Sequence, residues 1–433
     1  MLKKLDNKQK NFILKLELIL NKRRVVNSNK SAIVKKIIQD VKKNKDVALI
    51  KYERKFSKKN KISLKDIKFS SEEIKKILKR LDNKTKKAIN LAFNRIYKFH
   101  KKQIFKSYKI KDKFNNSLFY QSSPIEKVGV YVPGGIASYP SSVLMNCIPA
   151  IIAGVKELYM TTPSFNKKFN PAVIYAAKKC NVKEIYKAGG AQSIAALAYG
   201  TKAVKKVNKI VGPGNEFVAL AKKEVFGDVG IDMVAGPSEV TIVADKSCNP
   251  EWVAADLIAQ AEHDIYAQSI LISNDKKIIK DVNSCLHQQL KNLPKKDIAM
   301  KSLKKFGLSV HVKQLSSAAE IVNSIAPEHL QLCIKSPNQV LRKVTNAGSI
   351  FIGNYSPEAM GDYLAGTNHV LPTSGSAKFS SGLSVFDFLK RHSVIKISKS
   401  GIERLGPSVI NLAKYENLDG HANSVKIRLK RKV

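Results

Sequence analysis

Short apolar runs alternate with longer, alanine-rich segments through the middle of the chain. Beginning at Lys127, the runs KVGVYV, ELYMTT, EIYKAGG and VNKIVGPG have the length and composition of buried strands, and segments such as SSVLMNCIPAIIAGV and AQSIAALAYG separate them. This alternation predicts a parallel, doubly wound sheet. Glycine-rich turns follow at Gly134-Gly135, Gly189-Gly190 and Gly212-Pro213-Gly214, and such strand-to-helix junctions are where open α/β sheets bind ligands.

The same alternation continues after the segment AGPSEV. The predicted strands TIVAD, QSILIS, LSVHV and SIFIG are separated by helical segments that include AAEIVNSI, so a second α/β unit follows the first. The segment LAGTNHVLPTSGSAKFSSGLS is longer than an ordinary connecting loop, which favours a functional role. Beyond it we predict a helix and a short strand, SVKIRL.

The N-terminal part of the chain, up to Lys127, has helical rather than alternating patterning. The stretch MLKKLDNKQKNFILKLELILNKRR carries Lys15 and Glu17 inside its apolar run and has no small-residue cleavage site, so we expect an amphipathic helix and not a signal peptide. No run of about 18 or more apolar residues occurs, so we expect no membrane-spanning helix. The five cysteines form no CxxC pair, which favours reduced thiols and a cytoplasmic protein.

Composition adds size and charge to this picture. A chain of 433 residues with 44% hydrophobic residues is long enough for two or more domains with buried cores. Its 77 basic and 34 acidic residues give a formal net charge of +43, which makes nucleic-acid binding one hypothesis. The lysines are scattered, and no aromatic-basic platform accompanies them. We therefore favour a solvated, lysine-rich surface that adheres to nucleic acid only weakly and without specificity.

Common motifs of nucleotide-binding and hydrolytic enzymes are missing. The segment GPGNEF has the first two glycines of the GxGxxG fingerprint but then Phe217, so the sheet alone is a weak indication of a dinucleotide. The motifs HExxH, GxSxG and GxxxxGK[ST] do not occur, which argues against common zinc proteases, α/β-hydrolases and P-loop enzymes.

Gln260 and His263 lie three residues apart in the segment DLIAQAEHD. The segment follows Asn249-Pro250-Glu251, which has the N-cap, N1 proline and acidic first turn of a helix. We therefore expect both side chains deep inside this helix, on one face. Two interpretations stand equal at this point: half of a metal site with nitrogen and oxygen ligands, and an ordinary polar face.

Three further segments place a histidine near a carboxylate. In IAPEHLQL, Glu328 and His329 follow Pro327 at a predicted helix start. They fit a general acid/base pair or an acidic first turn, and spacing alone favours the second. The other two segments, each weak by itself, contain Asp362 with His369 in GDYLAGTNH and Glu416 with His421 in YENLDGH.

Taken together, long stretches of the chain resemble the histidinol dehydrogenase family. The similar stretches run in order to the C-terminus and are VGVYVPGGIASYPSSVLMNCIPA, AGGAQSIAALAYGT, VGPGN, IDMVAGPSEV, DLIAQAEHDIYAQSILI, IAPEHLQL, GDYLAGTNHVLPTSG and FSSGLSVFDFLKR. The resemblance implies NAD and zinc as cofactors, L-histidinol as substrate and an intertwined homodimer. It implies neither a specific nucleic acid nor a membrane as partner.

The resemblance also implies roles for particular residues of this chain. The implied zinc ligands, of which the last reaches in from the neighbouring subunit, are Gln260, His263, Asp362 and His421. The implied substrate contacts are those four ligands together with Ser238, His329, His369 and Glu416. The implied NAD contacts are Tyr131, Gln192 and Asn215, and the implied acid/base pair is Glu328 and His329.

Near the last of these ligands the chain departs from the family. Members commonly read EGL-x-AH, whereas this chain reads ENLDGH. The spacing from Glu416 to His421 is kept, but Asn417 and Gly420 have different backbone preferences from the usual residues. We therefore expect the pose of the tail, rather than its identity, to be affected.

These observations predict an α/β protein with two Rossmann-like doubly wound units, an N-terminal helical segment and an extended C-terminal tail. The predicted division is an N-terminal helical arm (1–24), the first part of the larger α/β domain (25–127), an NAD-binding Rossmann-like domain (128–237), the rest of the larger domain with the metal and acid/base residues (238–383), and a dimer-forming tail (384–433). The predicted function is four-electron, NAD-dependent oxidation of L-histidinol through the aldehyde. The alternatives are a basic nucleic-acid-binding protein and a zinc hydrolase that uses Glu328.

Overall fold

The computed structural model describes residues 1–23, 28–57, 62–134, 139–163, 169–234 and 236–429, so Gly135 of the first predicted glycine-rich turn lies outside the described residues. The strands are β1 (Lys3–Asp6), β2 (Tyr108–Lys111), β3 (Ser117–Pro124), β4 (Lys127–Tyr131), β5 (Glu157–Thr161), β6 (Glu184–Tyr186), β7 (Lys209–Val211), β8 (Gly230–Ile231), β9 (Glu239–Ala244), β10 (Gln268–Ser273), β11 (Leu308–His311), β12 (His329–Cys333), β13 (Ser349–Ile352) and β14 (Leu389–Lys396). The helices are α1 (Phe12–Asn21), α2 (Ser28–Ser57), α3 (Ser71–Leu78), α4 (Asn83–His100), α5 (Pro140–Ala153), α6 (Pro171–Lys179), α7 (Gly190–Tyr199), α8 (Glu216–Val225), α9 (Pro250–Ala261), α10 (Lys276–Leu290), α11 (Lys296–Phe306), α12 (Ala318–Ile325), α13 (Asn338–Leu341), α14 (Glu358–Tyr363), α15 (Lys399–Tyr415) and α16 (Asp419–Leu429).

A five-stranded parallel sheet in the order β6-β5-β4-β7-β8 forms the first unit. Helices α4, α5 and α6 bury one face of this sheet, and α2, α7 and α8 bury the other. The prediction of a doubly wound sheet is therefore confirmed. The strand order reverses at β4, so the carboxyl ends of β4 and β7 form the switch point at which such sheets bind ligands.

A six-stranded parallel sheet in the order β1-β11-β10-β9-β12-β13 forms the second unit. Helices α9, α10 and α11 cover one face, and α1 and α12 cover the other. The prediction of a helical N-terminal part was wrong at three strands. Lys3–Asp6 form the edge strand β1, so the first helix begins only at Phe12, and β2 and β3 also lie before Lys127. Pairing with β11 overrides the local helical patterning, and lysines suit an exposed edge.

Helix α2 belongs by its contacts to the five-stranded sheet. Val41 and Leu49 are fully buried in the core that also contains α7 and α8. The predicted division instead assigned residues 25–127 to the larger domain that carries the metal site. The domain limits remain a prediction, and these contacts favour a division in which residues 28–57 belong with the five-stranded sheet.

The C-terminal tail consists of a strand and a helical hairpin. Strand β14 pairs with β3 in an antiparallel sheet that also contains β2, and α15 then packs against α16. The predicted strand SVKIRL was wrong, because these residues lie in α16. Packing explains the difference: a Cβ at Gly406 of α15 would lie about 3 Å from side-chain atoms of Val425 and Leu429, so the glycine lets the two helices approach closely.

The unusual tail sequence ENLDGH is accommodated at the link between these helices. Asn417 has a φ of 59°, in the left-handed region that glycine and asparagine tolerate best. Its amide donates to the Lys414 carbonyl at 3.0 Å, and the Leu418 amide donates to the Ala413 carbonyl at 2.8 Å, which closes the end of α15. Asparagine thus serves here as the helix-terminating residue, and the turn forms without glycine.

None of the described helices combines the length and the apolar character that a membrane crossing requires.

Candidate active site

The acid/base candidates lie at the amino-terminal edge of the six-stranded sheet. His329 is the first residue of β12, and Glu328 immediately precedes it. The predicted helix start after Pro327 was wrong, since pairing with β9 and β13 draws this segment into the sheet. The two side chains are nevertheless neighbours in a buried site, with 6% and 4% of the residue surface exposed.

The backbone of Glu239 holds both members of this pair. The Glu239 amide donates to Oε2 of Glu328 at 2.9 Å, and Nδ1 of His329 lies 3.1 Å from the Glu239 carbonyl oxygen. A carbonyl accepts only from a protonated Nδ1, so Nε2 of the neutral ring carries the lone pair. His329 is therefore oriented to accept a proton at Nε2, which faces Asp362 Oδ1 at 3.9 Å.

Burial changes the proton affinity of both groups. It raises the pKa of the Glu328 carboxyl well above its usual value, although the Glu239 amide acts in the opposite direction. Burial also lowers the pKa of His329 to about 3, which keeps the imidazole neutral. The pair thus combines a carboxyl group that holds its proton more strongly than usual with a neutral imidazole that has a free lone pair, so one group can donate a proton and the other can accept one.

A group of possible metal ligands lies beside the pair. One ligand atom each from His263, Glu358 and Asp362 lies within 4.8 Å of the others among the described residues. The sequence prediction included His263 and Asp362 but missed Glu358, which is the first residue of α14 and is buried. The only signal for it was its position four residues before Asp362, one helical turn away.

Gln260 is oriented by Glu358. The Gln260 amide nitrogen donates to Oε1 and Oε2 of Glu358 at 3.0 and 3.3 Å, the orientation that its hydrogen bonds select. The amide oxygen then points away from Glu358 and is available as a ligand. The donor set of imidazole, carboxylate and amide oxygen suits zinc or a similar divalent ion.

The helix that carries Gln260 ends earlier than we predicted. Helix α9 runs only to Ala261, and Glu262 is its C-cap, so Gln260 lies in the last turn and His263 just beyond it. Their shared direction therefore comes from a helix end rather than from a helix interior. Gln260 is fully buried, whereas His263 is exposed at the mouth of the site.

His369 completes the described part of the site. Its Nδ1 donates to the Asp362 carbonyl oxygen at 3.0 Å, and its Nε2 lies 3.5 Å from Oγ of Ser142 in α5. Burial lowers the pKa of His369 to about 4, so its ring is neutral. Ser238 directly precedes Glu239 at the start of β9, so its backbone lies at the same edge of the sheet.

The two tail candidates are not part of this group. Glu416 is the C-cap of α15 and His421 lies in α16, and both are exposed. The ligand group found among the described residues does not contain His421. One chain therefore brings together three of the four implied zinc ligands.

The NAD candidates lie at the switch point of the five-stranded sheet or next to it. Tyr131 ends β4, and its hydroxyl accepts from the Gly190 amide at 3.3 Å. Asn215 caps α8, with its side chain accepting from the Val218 amide. Burial raises the pKa of Tyr131 to about 12, so the hydroxyl stays protonated and can donate.

Gln192 is held by a residue that the sequence analysis did not single out. Buried Glu53 accepts from Nε2 of Gln192 at 2.8 Å and from the Gly189 amide at 2.9 Å. Oε1 of Gln192 is buried and has no hydrogen-bond partner among the described residues. An unpaired buried acceptor beside glycine-rich strand ends fits a ligand that donates hydrogen bonds, as a nucleotide does.

These two edges define a class of protein: an α/β enzyme with a Rossmann-like ligand edge and a buried acid/base pair beside a possible metal centre. The chain belongs to the histidinol dehydrogenase family, whose sequence profile matches residues 20–429.

Individual members of the family are similar to this chain over nearly its full length. The chain is 57% identical to the histidinol dehydrogenase of Pelagibacter ubique over 433 residues, covering 100% of both chains. It is 46% identical to that of Rhodopseudomonas palustris, covering 98% of this chain and 99% of the relative. The crystal structure of histidinol dehydrogenase from Elizabethkingia anophelis superposes with a TM-score of 0.92 at 38% identity, covering 99% of this chain and 98% of that chain. The nucleic-acid-binding and hydrolase alternatives find no support.

A first prediction concerns the pH dependence of stability in the metal-free protein. Burial raises the pKa of Asp362 to about 6 from 3.8, so the folded state binds this proton more tightly than the unfolded state. The charged carboxylate therefore destabilises the fold as pH rises between these values. As the pH rises from 4.5 to 7.5, we expect the difference in unfolding free energy between Asp362→Asn and wild type to change by about 2 kcal/mol in favour of the variant.

Urea unfolding at several pH values measures this difference. Asp297→Asn, which removes an exposed carboxylate, provides the control for the loss of one negative charge. A difference between wild type and Asp362→Asn that is constant with pH would contradict the prediction.

Proposed function

We propose that this chain oxidises L-histidinol to L-histidine through the aldehyde, as the last step of histidine biosynthesis. The observation that carries the proposal is the orientation of His329, whose Nδ1 is fixed on a carbonyl while Nε2 faces the metal-ligand group. Overall, one alcohol, one water and two NAD⁺ give one carboxylate, two NADH and three protons. Family membership of the whole chain supports the same reaction.

His329 is proposed as the base that takes the alcohol proton. Its neutral ring can accept at Nε2, and its buried position keeps bulk water from competing for that proton. NAD, when bound, accepts a hydride at each of the two oxidations. As the carbon loses hydride, the hydroxyl proton moves to His329, and the aldehyde forms.

Glu328 is proposed to activate the water that converts the aldehyde to its hydrate. Burial raises the pKa of this carboxyl group, so it binds a proton from water more readily than an ordinary carboxylate does. The hydrate then carries the hydroxyl group that the second oxidation needs. Water can thus fulfil the role that a cysteine has in other aldehyde oxidations. Burial raises the pKa values of the Cys248 and Cys333 thiols, which makes these two cysteines poor nucleophiles.

Gln260, His263 and Asp362 are proposed to hold zinc, with His421 of a second copy as the fourth ligand. The donor types fit, because the Gln260 oxygen is directed away from Glu358 and the carboxylate and imidazole are close to each other. Bound zinc would anchor the imidazole and amine of the substrate and orient its carbinol carbon. Ser238, His369 and Glu416 are proposed as further substrate contacts.

A homodimer is proposed because the tail carries one ligand and an exposed apolar surface. Leu412 and Tyr415 of α15 are 63% and 90% exposed, and Leu418 next to them is also exposed. Apolar residues that cluster in this way mark protein interfaces. A second copy that covers this surface would bring its own His421 to the site in a reciprocal exchange.

For NAD we propose contacts from Tyr131, Gln192 and Asn215, supported by the unpaired Oε1 of Gln192 at the glycine-rich strand ends. We also propose a cytoplasmic location. The five cysteines are all free thiols, the state that a reducing compartment maintains.

The defining experiment is the yield of NADH per L-histidinol consumed. We expect two NADH per substrate, loss of activity on chelation, and recovery when zinc is returned. Absence of NADH from folded, zinc-loaded protein would contradict the proposed function. Turnover of a substrate without NAD would instead favour a hydrolase.

Glu328→Gln tests the role of the acid/base pair. We expect conversion of the aldehyde to slow by about 100-fold, the size of a lost general acid/base contribution, and oxidation of the alcohol to slow much less. Single-turnover assays started from histidinol or from histidinaldehyde separate the two steps. Glu320→Gln, an exposed position, is the matched control. An equal loss in both steps would count against the water-activating role.

His421→Ala tests the shared metal site. We expect less zinc per subunit, while His392→Ala, at an exposed position of the same tail, keeps its zinc. Co-expression of His421→Ala with His263→Ala chains should restore one intact site per mixed dimer, or about a quarter of wild-type activity after random pairing. If all ligands came from one chain, co-expression would restore nothing.

A further inference from the structure

A buried ion pair lies in the five-stranded unit, next to the carboxyl ends of β4 and β7, and takes no part in the proposed chemistry. Lys222 of α8 and Asp232, just after β8, form an ion pair whose side chains are only 2% and 1% exposed. The Asp232 carboxylate also accepts from the Met233 amide at 2.7 Å. The pair is thus enclosed within the five-stranded unit.

Both members of this pair bind the same glycine. Lys222 Nζ donates to the Gly212 carbonyl oxygen at 2.9 Å, and the Gly212 amide donates to Oδ2 of Asp232 at 2.8 Å. Gly212 has a φ of +115°, and a Cβ there would lie 2.1 Å from the Tyr131 carbonyl oxygen. The amide and the carbonyl of Gly212 are therefore both hydrogen-bonded, and the residue lies too close to the end of β4 for any side chain.

Gly212 lies at the start of the loop that connects β7 to α8. Gly212 follows the last residue of β7 and begins the segment Gly212-Pro213-Gly214-Asn215, which ends at the cap of α8. The carboxyl ends of β4 and β7 are the switch point of the sheet. The ion pair therefore fixes the start of the loop that carries Asn215, next to Tyr131.

Stability alone does not account for such a pair. Desolvation of two charges offsets most of their attraction, so replacing a buried pair with uncharged groups of similar volume is often neutral for folding. The pair instead fixes the conformation of the backbone at Gly212, because Lys222 donates a hydrogen bond to this residue while Asp232 accepts one from it. A loop whose shape is fixed in advance binds its ligand without a further ordering cost.

We propose that Lys222 and Asp232 are positioning residues that hold the loop 212–215 in its NAD-binding shape before NAD arrives. The inference rests on the NAD site proposed above. It predicts a defect confined to the cofactor: weaker NAD binding, with zinc content and histidinol binding unchanged.

The test is the double variant Lys222→Met/Asp232→Asn, which removes both charges and keeps similar volumes. We expect the dissociation constant of NAD for the zinc-loaded dimer, measured by calorimetry without substrate, to rise about tenfold, or ~1.4 kcal/mol. We expect the KM for histidinol and the zinc content to match wild type. The matched control is Lys42→Met/Asp228→Asn, which removes an exposed pair near α8, 56% and 53% exposed, and should leave NAD affinity unchanged.

Two comparisons separate the possible failures. If Gln192→Ala weakens NAD binding and the double variant does not, the positioning role is overturned and the NAD site stands. If Gln192→Ala also leaves NAD affinity unchanged, the proposed NAD site is wrong and the positioning role falls with it.

A measurement on the wild-type protein covers the case in which the double variant does not fold. Without NAD, hydrogen exchange should show the Gly212 amide protected, because Asp232 accepts from it in the cofactor-free state. Exchange of this amide at the rate of an unstructured peptide would overturn the proposal.

Discussion

The hydrogen bonds of one residue, Glu239, hold the catalytic arrangement together. Its amide donates to the Glu328 carboxylate and its carbonyl binds His329, so the first peptide units of β9 fix both members of the proposed acid/base pair. Its side chain is in turn anchored by Arg23, which forms a buried ion pair with it at 2.9 Å. Arg23 also donates to Tyr266 and Pro237 carbonyls on either side of this edge. Because these groups are buried, the N-terminal segment that carries Arg23 is connected directly to the geometry of the site.

The second constraint is that the two candidate sites lie at different kinds of sheet edge. The cofactor candidates lie at the carboxyl ends of strands, whereas the acid/base pair lies at an amino end. Helix α5, which follows the cofactor strand β4, connects them: its Ser142 lies 3.5 Å from His369, and its Met145 carbonyl accepts from Asn368 at 2.7 Å. The long glycine- and serine-rich segment therefore packs His369 and Asn368 against a helix of the five-stranded unit.

Elements that local sequence patterns determine could be predicted, whereas elements that depend on contacts between distant parts of the chain could not. Apolar runs bounded by glycine predicted the parallel strands well, because strands buried on both faces have a strong local pattern. The edge strand β1 was missed because only its pairing with β11 makes it a strand. Helix α16 was mistaken for a strand because its partner, α15, is what selects the helix. Motif resemblance supplied the ligand candidates, but Glu358 and Glu53 act through contacts made only in the folded chain.

The electrostatics of the site support the proposed metal by a route independent of any motif. Glu328 and Glu358 are buried near the half-buried Asp362, and burial together with their mutual repulsion raises the pKa values of Glu358 and Glu328 well above the usual range. A protein with a net charge of +43 has many lysines, yet none of the ion pairs found among the described residues brings one to these carboxyl groups. A divalent cation reverses the local preference, because its charge favours the ionised form of every carboxylate around it. The concentration of acid groups would therefore couple the binding of the proposed zinc ion to the release of protons.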